Sequence, residues 1–333
     1  MTATSTVALG VDIGGTKVAA GLVDAQGSIL FQTRVTMPAR GTAGEGFAAV
    51  RSAIEEVFAA RPGLRSSLAG IGVCAPGPLD PVTGVILNPP NVPCWRNFPL
   101  AAEVQRVFGL AARVENDGNA AALAEAIWGA GVGYRNVFYT TLGTGIGTGI
   151  VFDRHIYHGR TGSAAEGGHV SIDYNGPQCG CGKRGCIEAL CSGPAIARRA
   201  RMRLIESRNA GSGQPDSGRI ESKMLALARG KLDDVTAEVV AEAFHQGDTV
   251  AVDVLQETAD FLAIWAGNVI DLLEPDVFIF GGGLAELMSE FFGRIREQLP
   301  KSCVNQRCAE IPIIIAKYGS DAGIAGAAAL CRS

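Results

Sequence analysis

VALGVDIGGTKVAAGLVDAQGSILFQTRV, residues 7–35, decides the fold. A run rich in β-branched residues, VALGVDI, stops at Gly14-Gly15-Thr16. A second run, VAAGLVD, carries the chain to the turn AQG, and SILFQTRV completes an antiparallel meander. The same design returns between 137 and 153, where VFYTTL leads into GTGIGTG and then IVFD. Laid without gaps on TLGTGIGTGIVFD (141–153), DIGGTKVAAGLVD (12–24) puts Gly14 on Gly143 and Asp24 on Asp153. Identity between them is thin, but the shared pattern of strand, Gly/Thr turn, strand and Asp turn predicts two similar halves.

The remaining segments extend this pattern. GEGFAAVRSAIEEVFAARPG has helical spacing and ends at Pro62 and Gly63. LAGIGVCAPGP reads as a buried strand ending in a tight turn, and LAARVENDGNAAALAEAIWGAG as a strand running into a helix. Segments 193–203 and 236–273 read as helices, separated by the polar stretch SRNAGSGQPDSGRIES (207–222), which reads as a mobile loop. DVFIFGGGLAELMSEFFGRI is again strand, glycine turn and helix, and IPIIIAKYGSDAGIAGAAAL closes the chain with a strand and a small-residue helix. Strands alternating with helices, with a meander at the start of each half, predict an α/β protein of two related lobes. A length of 333 residues favours two domains over one core.

Composition excludes several classes. Apolar residues make up 47% and charged residues 19%, which describes a globular chain, and a formal net charge of −4 argues against a nucleic-acid surface. The basic run Arg198, Arg199, Arg201 and Arg203 reads as one solvated helix face. No signal-peptide pattern opens the chain, and the most apolar long stretch, 261–280, is interrupted by Asp271, Glu274, Pro275 and Asp276, so neither secretion nor membrane insertion is expected. The expected compartment is the cytoplasm, where thiols stay reduced. Cys74, Cys94, Cys191 and Cys331 then read as small buried hydrophobes, and a Cys303–Cys308 pairing as a minor reading. His155, His158 and His245 have no motif around them and read as surface or turn histidines.

Three glycine turns follow apolar strands, at 14–16, 143–147 and 281–283. Taken singly, each is a tight hairpin as readily as a ligand site. Together, two of them threaded with Thr, they suggest backbone N–H groups gathered on a nucleoside triphosphate, although neither the GxGxxG spacing nor a P-loop is met. Asp12, just before the first turn, would then lie beside the phosphates, where a carboxylate acts through Mg²⁺ or its waters.

A further cluster is richer in chemistry. His169 precedes Cys179, Cys181 and Cys186, so three thiolates and an imidazole fall within eighteen residues, among glycines that permit sharp turns. This composition suits a closed tetrahedral Zn²⁺ site. A redox pair would show Cys-x-x-Cys at a helix start, and a nucleic-acid zinc knuckle would bring a second ligand cluster or a basic helix. A fourth protein ligand leaves no open coordination position, so the expected role is structural. The second imidazole nitrogen of His169 would remain an N–H donor of fixed direction. Asp117, at the mouth of the helix in ENDGNAAALAEAIWG, reads on its own as an N-cap. Glu166 and Glu188 read on their own as surface glutamates.

In this order, DIGGTK, ENDGNAAALAE, TLGTGIGTGI, EGGH and CGCGKRGCIEA resemble the ROK family of bacterial sugar kinases and sugar-responsive repressors, from about Leu9 to the terminal AGIAGAAAL. APGPLD followed by GVILNPPNVPCW looks most like its glucokinase branch. The resemblance implies a two-lobed actin-like, ribonuclease-H-like fold with substrates in the cleft. It places residues 1–115 and a returning helix at about 318–333 in one lobe, and 116–317 in the other. It implies transfer of phosphate from ATP to the 6-hydroxyl of glucose, with Asp117 as the base that accepts the hydroxyl proton. Asn116, Glu166, His169 and Glu188 would contact the hexose, with Gly77 and Asn91 as further contacts. Asp12, Gly14, Gly15, Thr16, Lys17, Thr144, Gly145 and Gly282 would serve Mg·ATP. Lys17 departs from the Asn that many members carry after Gly-Gly-Thr and would add a charge near ATP. Alternatives within the family are kinases of N-acetylglucosamine, N-acetylmannosamine or mannose, and a sugar-responsive repressor, which would need a helix-turn-helix domain where only about eight residues precede the first strand. A zinc-stabilised scaffold without catalysis is a further alternative. Partners are expected to be a hexose, ATP and further copies of the chain, as a dimer or a tetramer.

Overall fold

The computed structural model describes residues 7–210 and 222–332. Strands β1 (Val7–Ile13), β2 (Lys17–Val23) and β3 (Ile29–Thr36) form the first meander. Strands β4 (Leu68–Ala75) and β5 (Ala112–Asn116) extend it in parallel on the other side, in the order β3-β2-β1-β4-β5. The second sheet repeats this plan with β6 (Asn136–Leu142), β7 (Ile146–Phe152), β8 (His155–Ile156), β9 (Val277–Gly281) and β10 (Ile313–Ile315), ordered β8-β7-β6-β9-β10. Its neighbours are antiparallel and parallel in the same places. The gapless match of 12–24 on 141–153 therefore sets β1 on β6 and β2 on β7 end to end. Their turns differ by one residue of register: Ile13 pairs with Val18, but Leu142 pairs with Ile146.

Helices cover the sheets, which is why the central strands are apolar on both faces. Helix α1 (Ala43–Ala60) starts with a reciprocal Thr42–Glu45 capping box and lies over β2 and β3. Helix α2 (Leu100–Phe108) packs on β5. Helix α3 (Asp117–Trp128) leaves β5 but packs on β6 and β7 of the second sheet. The helices α4 (Ile187–Cys191), α5 (Gly193–Ala210), α6 (Ala237–His245) and α7 (Thr249–Leu273) build the body of the second half. Helix α8 (Ala322–Ala329) leaves β10 and packs on β1 and β4 of the first sheet, against α3. Each half thus sends its last helix across to the other half's sheet. This exchange buries α3 from Gly118 to Ala126 on every side and explains its run of alanines.

Three sequence readings are corrected. Helix α5 continues past residue 203 to Ala210, and residues 211–221 of the polar stretch read as a loop lie outside the described residues. The helical segment 236–273 is two helices, divided at Gly247, whose φ of 77° turns the chain before Asp248 caps α7 by accepting the Ala251 N–H. Of the arginine run, Arg203 keeps a solvated side chain, 46% exposed, but the other three are tied to neighbouring elements. Arg199, 12% exposed, donates to Glu257, Thr258 and the Val254 carbonyl, Arg201 to the carbonyls of Asp233 and Val235, and Arg198 to that of Ala189. Their long stems fasten α5 to its neighbours. All nine cysteines are free, and Cys303 lies beside Asp271 rather than bonded to Cys308. Among the described residues no helix is long and apolar enough to cross a membrane.

Candidate active site

The elbow between β5 and α3 carries the central carboxylate. The cap of α3 is Asn116, not Asp117: its Oδ1 accepts from the N–H groups of Gly118 (2.9 Å) and Asn119 (3.3 Å). Asp117 is the first helical residue, and its Oδ1 accepts from the adjacent Gly118 N–H at 2.8 Å. Capping by the neighbour leaves the Asp117 carboxylate open to the cleft, with both halves crowded around it. That crowding, above all the loss of water, pushes its pKa up to about 6, helped by repulsion from Asp12 and Glu166 and opposed by the Gly118 N–H. A helix terminus alone would have lowered it; burial outweighs that effect.

A cavity of about 620 Å³ opens on this elbow. Gly77, Asn91, Asn116, Asp117, Glu166, His169 and Glu188 all line it, together with Thr144 and Gly145. Glu166 and His169 come from the turn EGGH. Ala165, just before it, takes φ 65°, a left-handed conformation that costs an L-residue roughly 1–2 kcal/mol. The turn is held from outside the motif. Thr148 on β7 donates to the Ala165 carbonyl and accepts from the Gly167 N–H at 2.8 Å, and the buried indole of Trp265 donates to the Gly167 carbonyl at 2.9 Å. Thr148 falls inside TLGTGIGTGI but carries no role assigned from that motif, and Trp265 lies in no motif. Both were reachable only as polar atoms on apolar elements, which must find partners when buried. His158, read as a surface or turn residue, has a side chain 39% exposed and also contacts the buried Glu115 at 2.6 Å. His155 and His245 are exposed, the former bonded to the Asp153 carbonyl and the latter to Glu290.

The knuckle closes the cavity wall. The ligand atoms of His169, Cys179, Cys181 and Cys186 all lie within 4.8 Å of one another. A tetrahedron of thiolates about 2.3 Å from zinc has edges of about 3.8 Å. The Cys181–Cys186 sulfur separation is 3.7 Å, and His169 Nδ1 lies 3.6 Å from the Cys179 sulfur. The donor set and spacing fit a closed four-ligand ion. Since Nδ1 faces the sulfurs, Nε2 is the imidazole nitrogen left for other partners. Glu188, on α4 directly after the last cysteine, accepts the Ile146 N–H through Oε2 at 2.9 Å. A side chain at Gly145 would lie 2.7 Å from that oxygen, so the glycine lets the β6–β7 hairpin close onto Glu188.

A second cavity of about 760 Å³ shares Gly143 and Thr144 with the first and is lined further by Arg201, Glu238, His245, Gly283 and Leu284. The third glycine turn presents Gly283 there, while Gly282 packs beneath on Thr141 and Leu142. Gly15 and Thr16 line a cavity of about 850 Å³ that shares Pro90 and Asn91 with the first; Gly14 closes its hairpin on the Lys17 carbonyl at 2.9 Å, and Lys17 is exposed. Asp12 projects from the end of β1 against α8. A methyl at Gly323 would lie 2.3 Å from its Cγ, so the bare glycine is the cradle for this carboxylate. Burial raises the Asp12 pKa, against the lowering effects of Cys74, Lys17 and Arg34.

Two mixed sheets of identical strand order, exchanging their last helices around a polar cleft, define a two-lobed α/β protein of the actin-like ATPase fold. The chain belongs to the ROK family, whose model matches residues 8–333. It is 36% identical to a glucokinase of Streptomyces coelicolor over 326 residues, covering 97% of each chain. With a glucokinase of Thermotoga maritima it shares 33% identity, over 97% of this chain and 96% of that one. The crystal structure of a ROK family glucokinase from Streptomyces griseus in complex with glucose and AMPPNP superposes with a TM-score of 0.79 at 35% identity, covering 98% of this chain and 99% of the other.

Proposed function

We propose that this protein is an ATP-dependent glucokinase that phosphorylates the 6-hydroxyl of glucose. One observation carries the reading: Asn116, Asp117, Glu166, His169 and Glu188 converge on a single polar cavity, which meets a second, nucleotide-sized cavity at Gly143 and Thr144. Glucose occupies the first and ATP the second, so the γ-phosphate reaches the sugar past the β6–β7 hairpin. Glu166, Glu188 and Asn116 accept or share sugar hydroxyls, and His169 Nε2–H donates to one. Asp117 takes the proton of the 6-hydroxyl as that oxygen bonds to the γ-phosphorus and the bond from phosphorus to the ADP oxygen breaks. A base with a pKa of about 6 is ionised at neutral pH and still basic enough to receive a proton.

His169, Cys179, Cys181 and Cys186 would hold a structural Zn²⁺, which would fix the imidazole tautomer and join EGGH to the segment that carries Glu188. Mg²⁺ arriving with ATP would supply charge neutralisation on the phosphates, and Asp12 is the carboxylate that would serve it. The Gly14–Lys17 hairpin is the first half's wall of the nucleotide site. Of the described residues, the first lobe comprises 7–115 with the returning helix α8, and the second lies within 116–317; their closure excludes the water that competes with sugar for the phosphoryl group. A steady-state survey of glucose, mannose, N-acetylglucosamine and N-acetylmannosamine with Mg·ATP, reading ADP and sugar phosphate, tests this. Glucose is expected to give the highest kcat/KM. Absence of sugar phosphate from every hexose would refute the kinase reading, and preference for an N-acetylated sugar would refute the glucokinase assignment.

A further inference from the structure

Glu115 precedes Asn116 and Asp117 on β5 and is only 3% exposed. Its Oε1 accepts from the Asn116 backbone N–H at 2.8 Å and from the Asn119 side-chain amide at 3.1 Å, so one carboxylate oxygen grips the elbow on both sides of Asp117. Its Oε2 lies 2.6 Å from Nε2 of His158. His158 follows β8 in the second sheet, and there it opens the loop that ends at Ala165 and Glu166. The Ala164 N–H donates back to the His158 carbonyl at 3.1 Å, closing that loop on itself. Because successive side chains of a strand face opposite ways, Glu115 and His158 meet behind the elbow. They line a rear cavity of about 630 Å³ together with Arg113 and His155, while Asn116 and Asp117 face the sugar cavity.

We propose that Glu115 and His158 form a positioning pair that sets the base Asp117 in register with the loop delivering Glu166, across the junction of the two lobes. This rests on the kinase reading above, and neither residue touches substrate. Hydrogen bonding to Glu115 raises the His158 pKa, which favours the charged donor. Without His158, Oε2 of Glu115 loses that partner, so the carboxylate that grips Asn116 and Asn119 is no longer fixed from behind and the elbow loosens. A displacement of the base by a fraction of an ångström is costly because phosphoryl transfer depends on alignment.

The test uses the full-length, zinc-loaded protein. Kinetic constants for glucose and Mg·ATP are measured for His158→Ala, His158→Gln, Glu115→Gln and the double variant Glu115→Gln/His158→Ala, with melting temperature and zinc content recorded for each. His158→Ala is expected to lower kcat and raise the glucose KM, for a combined loss of about 10–100-fold in kcat/KM, leaving the ATP KM within about twofold. His158→Gln keeps an N–H donor and should recover most of that loss. The double variant should lose little more than the worse single one, as expected for residues acting as a unit. Should His158→Ala not fold, the Gln variant and Glu115→Gln carry the same comparison, with Glu115→Gln expected to show the glucose-side loss. The proposal is overturned if stability falls while the constants hold, if the Ala and Gln variants lose activity alike, or if the ATP KM moves as much as the glucose KM. A wild-type protein that phosphorylates no hexose refutes the kinase reading instead, so the two failures are distinguishable.

Discussion

Lowering the pH should disable this enzyme from the base outward. With the Asp117 pKa at about 6, kcat/KM for glucose is expected to fall tenfold for each pH unit below that value, leaving about a tenth of its plateau at pH 5. A carboxylate at its ordinary value near 3.9 would keep more than about nine-tenths at the same pH. The gap is wide enough to decide which environment the carboxylate feels. Phosphate transfer is best followed by ³¹P resonance of the sugar phosphate, because coupling enzymes lose activity over the same range. Stability separates this effect from unfolding. A carboxyl whose folded pKa is raised contributes stability below its unfolded pKa and loses it as pH rises through the folded one, so Asp117 does not promote unfolding between pH 7 and 5. Melting temperature and bound zinc, followed at each pH, exclude loss of the knuckle as the cause. The limb in kcat should lie lower than that in kcat/KM, since a Mg²⁺ held by Asp12 as proposed would offset the repulsion that this carboxylate exerts on Asp117. Asp117→Asn should abolish the limb and reduce turnover by about 10²–10⁴-fold while glucose still binds. A profile flat from pH 7 to 5 with zinc retained, or a limb that survives Asp117→Asn, refutes the assignment of the base.

Removing the metal with a chelator, or replacing Cys181 with Ser, should raise the glucose KM by roughly 10–100-fold with a smaller change for ATP, and metal analysis of native protein should find one zinc per chain. Trp265→Phe removes one of the two donors to the Gly167 carbonyl and leaves only the Val170 N–H; urea denaturation should show a loss of about 0.5–1.5 kcal/mol, accompanied by a higher glucose KM. Gly323→Ala sets a methyl against Asp12 and should cost about 1–3 kcal/mol from overpacking, with kcat falling as Asp12 shifts. An unchanged Mg²⁺ dependence in that variant would detach Asp12 from the metal.

What was legible in the sequence was local chemistry. The Gly-Gly-Thr and Gly-Thr-Gly hairpins announce themselves because turn residues and strand alternation lie within about ten positions, and their repetition exposes the two halves. The candidate metal cluster was equally visible, being three cysteines and a histidine in eighteen residues. The register offset between the two hairpins was not, since it depends on how each turn closes. Nor was the cap of α3, because Asn and Asp cap equally well and spacing does not choose between adjacent residues. The arginine run misled for a different reason. Asp233, Val254, Glu257 and Thr258, which absorb its charge and hydrogen bonds, lie dozens of residues further along the chain, and no periodicity within α5 reveals them.

The division between visible and hidden residues follows chemistry. Groups that line the cleft cavity occupy short motifs because turns bring near neighbours together cheaply. Groups that hold them in place come from wherever packing brings a polar atom: Thr148 and Trp265 onto EGGH, Gly323 behind Asp12, His158 onto Glu115. The sign of the Asp117 shift follows from the same division. A reading confined to ENDGN sees a helix terminus and expects a weaker base. The folded chain adds Asp12 from β1 and Glu166 from the loop beyond β8, and strips part of the water from a carboxylate that still opens on the cleft, so its pKa rises. The reactivity of this carboxylate is therefore a property of the assembled cleft. It should respond to substitutions such as Gly323→Ala, which leave the motif untouched but change how α8 seats against the first sheet.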